Sequence, residues 1–278
     1  EHGLFTDFRD GVISSEREYD NGQLLKSTYF KNSLKQIESY FENGKHHGKE
    51  TFWNDYGLVK SVDTYQNGEL ISMTRYYYYP NGQLEEEMSY RGDGFTKDGK
   101  QTYWYEDGQI HMEFNYKNGI QKDGATWNEI GQKTHSSYYL NNRLHKQIRF
   151  KYYDNGQVKE EAHLDMTSVN PVYIYLIRWH ENGQKSQEVN YKDGKEDGKW
   201  LQWYENGQQQ LERNYKKGEL KGKETWWNEK VDNGRQRRGE FLFAEPSLEF
   251  ADFINYEDAV SLKDEIEEER MVSLMGAL

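Results

Sequence analysis

Trp203-Tyr204-Glu205-Asn206-Gly207-Gln208 is the stretch on which the reading of the fold turns. Asn-Gly between two β-prone runs is a strong hairpin signal. A type I′ turn needs φ > 0 at both central residues, and Asn and Gly tolerate that best. The phrase returns as Trp179-His180-Glu181-Asn182-Gly183-Gln184, Trp104-Tyr105-Glu106-Asp107-Gly108-Gln109 and Tyr152-Tyr153-Asp154-Asn155-Gly156-Gln157. A looser form is Tyr78-Tyr79-Pro80-Asn81-Gly82-Gln83. A phrase that returns roughly every 24 residues marks a repeat protein.

Working outward from the turns, an aromatic stands four residues before each turn anchor, as at Trp53, Trp127 and Trp227. A second set of turns lies between the first, at Gly44, Gly68, Gly119, Gly194 and Gly218 among others. Three residues before nearly all of them comes a second aromatic, such as Phe41, Tyr65 or Tyr116, with Leu164 the exception, and three earlier again usually a carboxylate, such as Glu38, Glu113 or Glu212, with Val62 and Ser136 the exceptions. Each repeat therefore reads as two short strands and two turns. Side chains alternate faces along a strand, so the carboxylate and the aromatic three apart fall on opposite faces. The same parity, with both aromatic columns turned inward, sends Tyr79, Tyr105, Tyr153, His180 and Tyr204 outward as an exposed ridge.

Composition agrees with a thin β layer. Only 34% of the 278 residues are hydrophobic, yet there are 23 Tyr, 12 Phe and 8 Trp, enough rings to bury area without an aliphatic core. There is no cysteine, so no disulfide framework holds the chain. No apolar run has the length of a membrane span, and membrane contact is not expected. The net charge of −12 disfavours sequence-independent binding to nucleic acid and to anionic lipid, which need a Lys/Arg surplus. The chain starts at Glu1 rather than Met, so an N-terminal segment is expected to have been removed by processing or to be missing; the compartment is left open, with the cytoplasm slightly favoured.

These signals predict an all-β fold: an elongated open antiparallel sheet of about nine stacked hairpin repeats, with a helical C-terminal tail. The repeat domain is placed at 1–245. Between Glu161 and Arg178 the pattern degrades, which reads as a modified repeat. Residues 246–278 form the acidic tail. Phe250, Phe253, Ile254, Val260, Leu262 and Ile266 recur there at roughly helical spacing. It serves either as a cap on the last open edge or as a docking element for a basic partner.

The repeated phrase, best formed at 179–198 and 203–222, resembles the MORN-repeat variant family, and within it the proteins described as YwqK-family antitoxins. The resemblance covers roughly residues 16–243. It implies an open sheet of stacked hairpins and, for function, an antitoxin or a scaffold.

Catalytic patterns are missing. The eight histidines show no ligand spacing, and there is no nucleophile elbow, phosphate loop or EF-hand. A ladder of equivalent outward Glu residues lacks the unequal environments that acid/base chemistry needs, and Lys49, Lys199 and Lys223 are placed to pair with it. No enzyme activity, cofactor or metal is expected. The expected function is a non-catalytic protein–protein interaction scaffold, antitoxin-like or a subunit of a larger assembly. Its partner-binding residues would be Tyr79, Tyr105, Tyr153, His180 and Tyr204, and the partner would carry a basic surface. The alternative is a carbohydrate or cell-surface binder that uses exposed rings.

Overall fold

The computed structural model describes residues 2–232 and 235–243, and every described element is a β-strand. The predicted helical tail from residue 246 lies outside the described residues. The chain divides into two compact units, Glu1–Gly183 and Gln184–Leu278. The first holds β1 (Gly3–Arg9), β2 (Val12–Asp20), β3 (Gln23–Lys31), β4 (Leu34–Glu42), β5 (Lys45–Trp53), β6 (Val59–Gln66), β7 (Glu69–Tyr78), β8 (Leu84–Arg91), β9 (Lys97–Trp104), β10 (Ile110–Lys117), β11 (Ile120–Trp127), β12 (Lys133–Leu140), β13 (Arg143–Tyr152), β14 (Val158–Asp165) and β15 (Val172–Trp179). The second holds β16 (Lys185–Lys192), β17 (Lys195–Trp203), β18 (Gln209–Lys216), β19 (Glu219–Leu220), β20 (Gly222–Asp232) and β21 (Arg235–Phe243). In the first unit each strand pairs antiparallel with its neighbours in sequence, from β1–β2 to β14–β15. In the second, β18 pairs with both β19 and β20. The degraded stretch keeps its ladder: Glu161 faces Ile177 and Ala162 faces Leu176 across β14–β15.

The two sets of turns differ in kind. Asn43-Gly44, Asn67-Gly68 and Asn118-Gly119 join their strands with two residues, both at φ > 0. These are the type I′ geometry that Asn-Gly predicts. The turns of the signature phrase have a different geometry. In Tyr79–Gln83, Gly82 has φ +87° while Asn81 is absent from the positive-φ residues. The Tyr79 N–H donates to the Gln83 carbonyl at 2.9 Å, and the Gly82 N–H donates back to the Tyr79 carbonyl at 2.9 Å. The Asn81 side chain accepts from the Gln83 N–H at 2.9 Å, which secures a conventional φ at Asn81 and leaves the left-handed step to Gly82 alone.

Register assigns the faces. Thr102 lies opposite Glu113, and Trp104 is two residues on from Thr102, so the Trp column shares a face with the Glu column. Tyr116, three residues from Glu113, is on the other face, opposite Gly99. The expectation that both aromatic columns share one face is corrected here: the carboxylate and Tyr are opposed as parity requires, but Trp sides with the carboxylate. The reason lies in the turns. Their lengths and the register shifts beside them, as between Phe52 and Trp53, reset the alternation between one strand and the next.

On the Trp face, lysines cover rings and neutralise carboxylates together. Lys35 reaches Glu38 at 2.7 Å and lies 5.7 Å from the Trp53 ring centre. Lys185 does the same with Glu188 at 2.8 Å and Trp203 at 5.7 Å. Lys199 meets Glu212 at 2.7 Å, as the sequence suggests, whereas Lys223 pairs with Glu240. Each such half-exposed ion pair contributes about 0.2–1 kcal/mol, and each ring contact about as much. The apolar core is small: Ala162, Leu164, Leu176 and Val189 are the fully buried aliphatics among the described residues. Much of what is buried elsewhere is polar, including Ser27, Ser39, Thr28 and Gln101, so the fold rests on repeated ladders more than on a central core.

Candidate functional site: the turns of the signature phrase

Because the strands form a meander, the signature turns of the first unit line up on one edge. They are 54–58, 79–83, 105–109, 128–132, 153–157 and 180–183. Neighbouring turns stand two strands apart, about 9.5 Å.

Tyr, Asn and Gln side chains of the phrase, where present, bind one turn to the next. The Tyr79 hydroxyl donates to the Trp104 carbonyl at 2.7 Å, Tyr105 to Trp127 at 2.8 Å and Tyr153 to Trp179 at 2.8 Å. In the second unit Tyr204 donates to Trp227 at 2.9 Å. Asn81 Nδ2 donates to the Glu106 carbonyl at 3.2 Å, and Asn155 Nδ2 to Glu181 at 3.1 Å. The third contact uses Gln. A Cβ on Gly131 would stand 2.7 Å from Gln109 Oε1, and one on Gly207 would stand 1.9 Å from Gln184 Oε1. The Gln109 and Gln184 amides thus lie over the glycine of the following turn, where a Cβ would have to push them aside.

The predicted site residues are therefore half-buried, and the exposed tyrosine ridge is not formed. A tyrosine one residue past the strand end leans along the sheet, where its hydroxyl reaches the carbonyl that ends the strand two along. Tyr105 also stacks on His111, with ring centres 4.3 Å apart, and Lys159 lies 5.2 Å from the Tyr153 ring centre. Burial, then the charges of Glu85 and Glu106, raise the phenol pKa of Tyr79. Burial, then Glu129 and Asp107, do so at Tyr105. The structure brings Tyr79, Tyr105, Tyr153 and His180 to one edge of the first unit. Asn128 takes the tyrosine position between Tyr105 and Tyr153 and bonds within its own turn, to Gln132 N at 2.8 Å.

What this edge presents outward is acid. Asp55, Glu106, Asp107, Glu129, Asp154 and Glu181 occupy its turns, and no Lys or Arg does. Lys31 reaches over to Asp55 at 2.8 Å. Tyr56 and Ile130 stand at the turn tips, 88% and 73% exposed. The opposite edge mixes charges, with Lys45, Lys97, Lys117 and Arg143 beside Glu42 and Glu69. Sequence reasoning missed the acidic edge because the column pattern lies in the strands, whereas these acids lie in the turns. Its signal is an acid two residues before the turn glycine, at Asp55, Glu106, Glu129, Asp154 and Glu181, with Pro80 the exception. Among the described residues no three His, Asp or Glu side chains gather as a metal site.

Solved structures that resemble the chain do so distantly. The crystal structure of TcdB2-TccC3-Cdc42 matches 91% of this chain at 13% identity with a TM-score of 0.30, and the chain spans only 16% of that one. A porin-like protein from Bacteroides uniformis matches 77% of this chain at 7% identity with a TM-score of 0.24, covering 92% of its own length. No curated protein matches. The profile described as MORN repeat variant matches at 36–54, 71–91, 97–118, 148–165, 176–193 and 196–217. With hairpins, turn chemistry and six matched repeats in agreement, the chain belongs to the MORN-repeat variant family.

Proposed function

We propose that the protein is a non-catalytic binding scaffold that takes a protein partner with a basic surface along the acidic turn edge. The observation that carries this reading is that five of the six turns bear acids and none bears a Lys or Arg. Their rigidity supports it, since bonds from Tyr79, Asn81, Tyr105, Tyr153 and Asn155 tie turns to their neighbours, so little freedom is lost on binding. In this reading Tyr79, Tyr105, Tyr153 and His180 hold the tips of the first unit in place and flank the contact, and Tyr204 does the same for its own turn within the second unit. The biological setting we propose is that of an antitoxin- or immunity-like partner, or of a structural subunit in an assembly. Sugar stacking is less favoured, because Lys35, Lys133 and Lys185 already lie over the rings of Trp53, Trp127 and Trp203.

The test is capture of the partner from native extract with the wild type and with a Glu106→Gln/Asp107→Asn/Asp154→Asn variant. Wild-type binding should weaken steeply as salt rises, and the variant should bind at least tenfold more weakly. Equal capture by both proteins at both salt levels would refute the edge as the site.

A further inference from the structure

One pair of acids stands apart from the Lys-neutralised columns. Glu50 on β5 lies directly opposite Asp63 on β6, on the same face as Tyr65. They are 8% and 7% exposed. Opposed side chains in an antiparallel ladder come within about 5.5 Å at Cβ, so two charges here would repel each other out of reach of water.

The surrounding groups do not supply a counterion to Asp63. On β4, Ser39 Oγ donates to Glu50 Oε1 at 2.6 Å, which satisfies Glu50 rather than Asp63. On β5, His46 Nδ1 is 3.5 Å from Glu50 Oε1, and the ring packs between Phe41 and Tyr65. On β6, Tyr65 is pushed up to about 12 by burial and then by the charges of Glu50 and Asp63. On β7, Arg75 bears on Asp63 but is engaged elsewhere: its Nε donates to Met73 Sδ at 3.1 Å, and its guanidinium lies 5.5 Å from the Tyr90 ring centre. Asp63 Oδ1 is left buried with no hydrogen-bond partner. Such an oxygen is costly on a carboxylate and far cheaper on a neutral acid.

We propose that Asp63 keeps its proton beside Glu50 in the closed sheet, and that release of this proton to solvent loosens β5 from β6, making the pair a latch that opens as pH rises. Burial first, and then the Glu50 charge, raise the pKa of Asp63, while Arg75 opposes. The closed ladder then binds one proton more than the open one. Its stability is complete below the ordinary aspartate value and falls as pH rises toward the raised one. A surface running along these strands would thereby be firmer in acid than at neutral pH.

The experiment follows the Asp63 carboxyl carbon by NMR in the whole chain, from about pH 3 to about pH 8, a span bracketing ordinary carboxylates. Amide exchange at Thr51 and Val62 is read over the same span. The expected result is an Asp63 midpoint above that of an ordinary aspartate. Within the window the opening equilibrium should rise about tenfold per pH unit beyond the intrinsic base-catalysed increase. Asp63→Asn should remove this excess. Glu50→Gln should lower the Asp63 midpoint, and His46→Gln should leave it in place. An Asp63 midpoint at or below the ordinary value in the wild type overturns the latch, whether or not any variant folds. So does an excess that vanishes in His46→Gln.

Discussion

Replacing Tyr79, Tyr105 and Tyr153 together by Phe separates a recognition role from a structural one. Each substitution keeps the half-buried ring and removes one hydroxyl that donates to a neighbouring carbonyl at 2.7–2.8 Å. A net hydrogen bond of this kind is worth about 0.5–1.5 kcal/mol, and a carbonyl left without its donor in a half-buried place lies toward the upper part of that range. Tyr79 and Tyr105 sit in turns about 9.5 Å apart and share no acceptor. Their effects should therefore nearly add, for a total of about 2–4 kcal/mol. In a unit of this size that corresponds to roughly 4–16 °C in unfolding temperature. Thermal unfolding followed by circular dichroism measures the loss, and amide exchange near Trp104, Trp127 and Trp179 locates it. A triple variant within about 0.5 kcal/mol of wild type that no longer binds its partner would refute the staple assignment and make the hydroxyls recognition groups.

Gly131→Ala and Gly207→Ala should each cost about 1–2 kcal/mol, because both glycines are left-handed and both lie under a Gln amide; a Gln109→Ala background should relieve only the packing part of the Gly131 cost, as read by denaturant titration. Gly92→Ala should be worse, at least about 3 kcal/mol, since its Cβ would stand 1.7 Å from the Leu70 carbonyl oxygen and the backbone must move; a folded protein of unchanged stability would show the approach is not required. Trp104→Ala should cost about 2–3 kcal/mol, below the about 3–5 kcal/mol of a fully buried ring, because Trp104 is half-buried. At Glu160 burial works against ionisation, but hydrogen bonds from Lys151 and Arg178 prevail and hold its carboxyl below the usual range. That contribution is present above the ordinary Glu value and lost as pH falls through the lowered one, so Glu160→Gln should flatten the acid limb of a stability profile. Tyr65, raised to about 12, has the opposite sign: its contribution is complete below about pH 10 and lost toward about pH 12, which phenolate absorbance during alkaline unfolding should follow.

The repeat, its period and the alternation of two turns could be read from the sequence alone, because they depend on local chemistry. Asn-Gly needs left-handed backbone, and aromatic and β-branched runs prefer strands. The pairing of Lys199 with Glu212 was equally legible, since both positions follow from counting along adjacent strands. Three things required the tertiary structure. Which face the Trp column takes depends on register shifts beside the turns, as between Phe52 and Trp53, and one residue of slip exchanges faces. The destination of the Tyr79, Tyr105 and Tyr153 hydroxyls depends on a carbonyl contributed about 25 residues away, which no local rule anticipates. The pairing of Glu50 with Asp63 was hidden because, as single letters, they read as two more surface acids. Only the ladder between β5 and β6 places one against the other and closes water out around both.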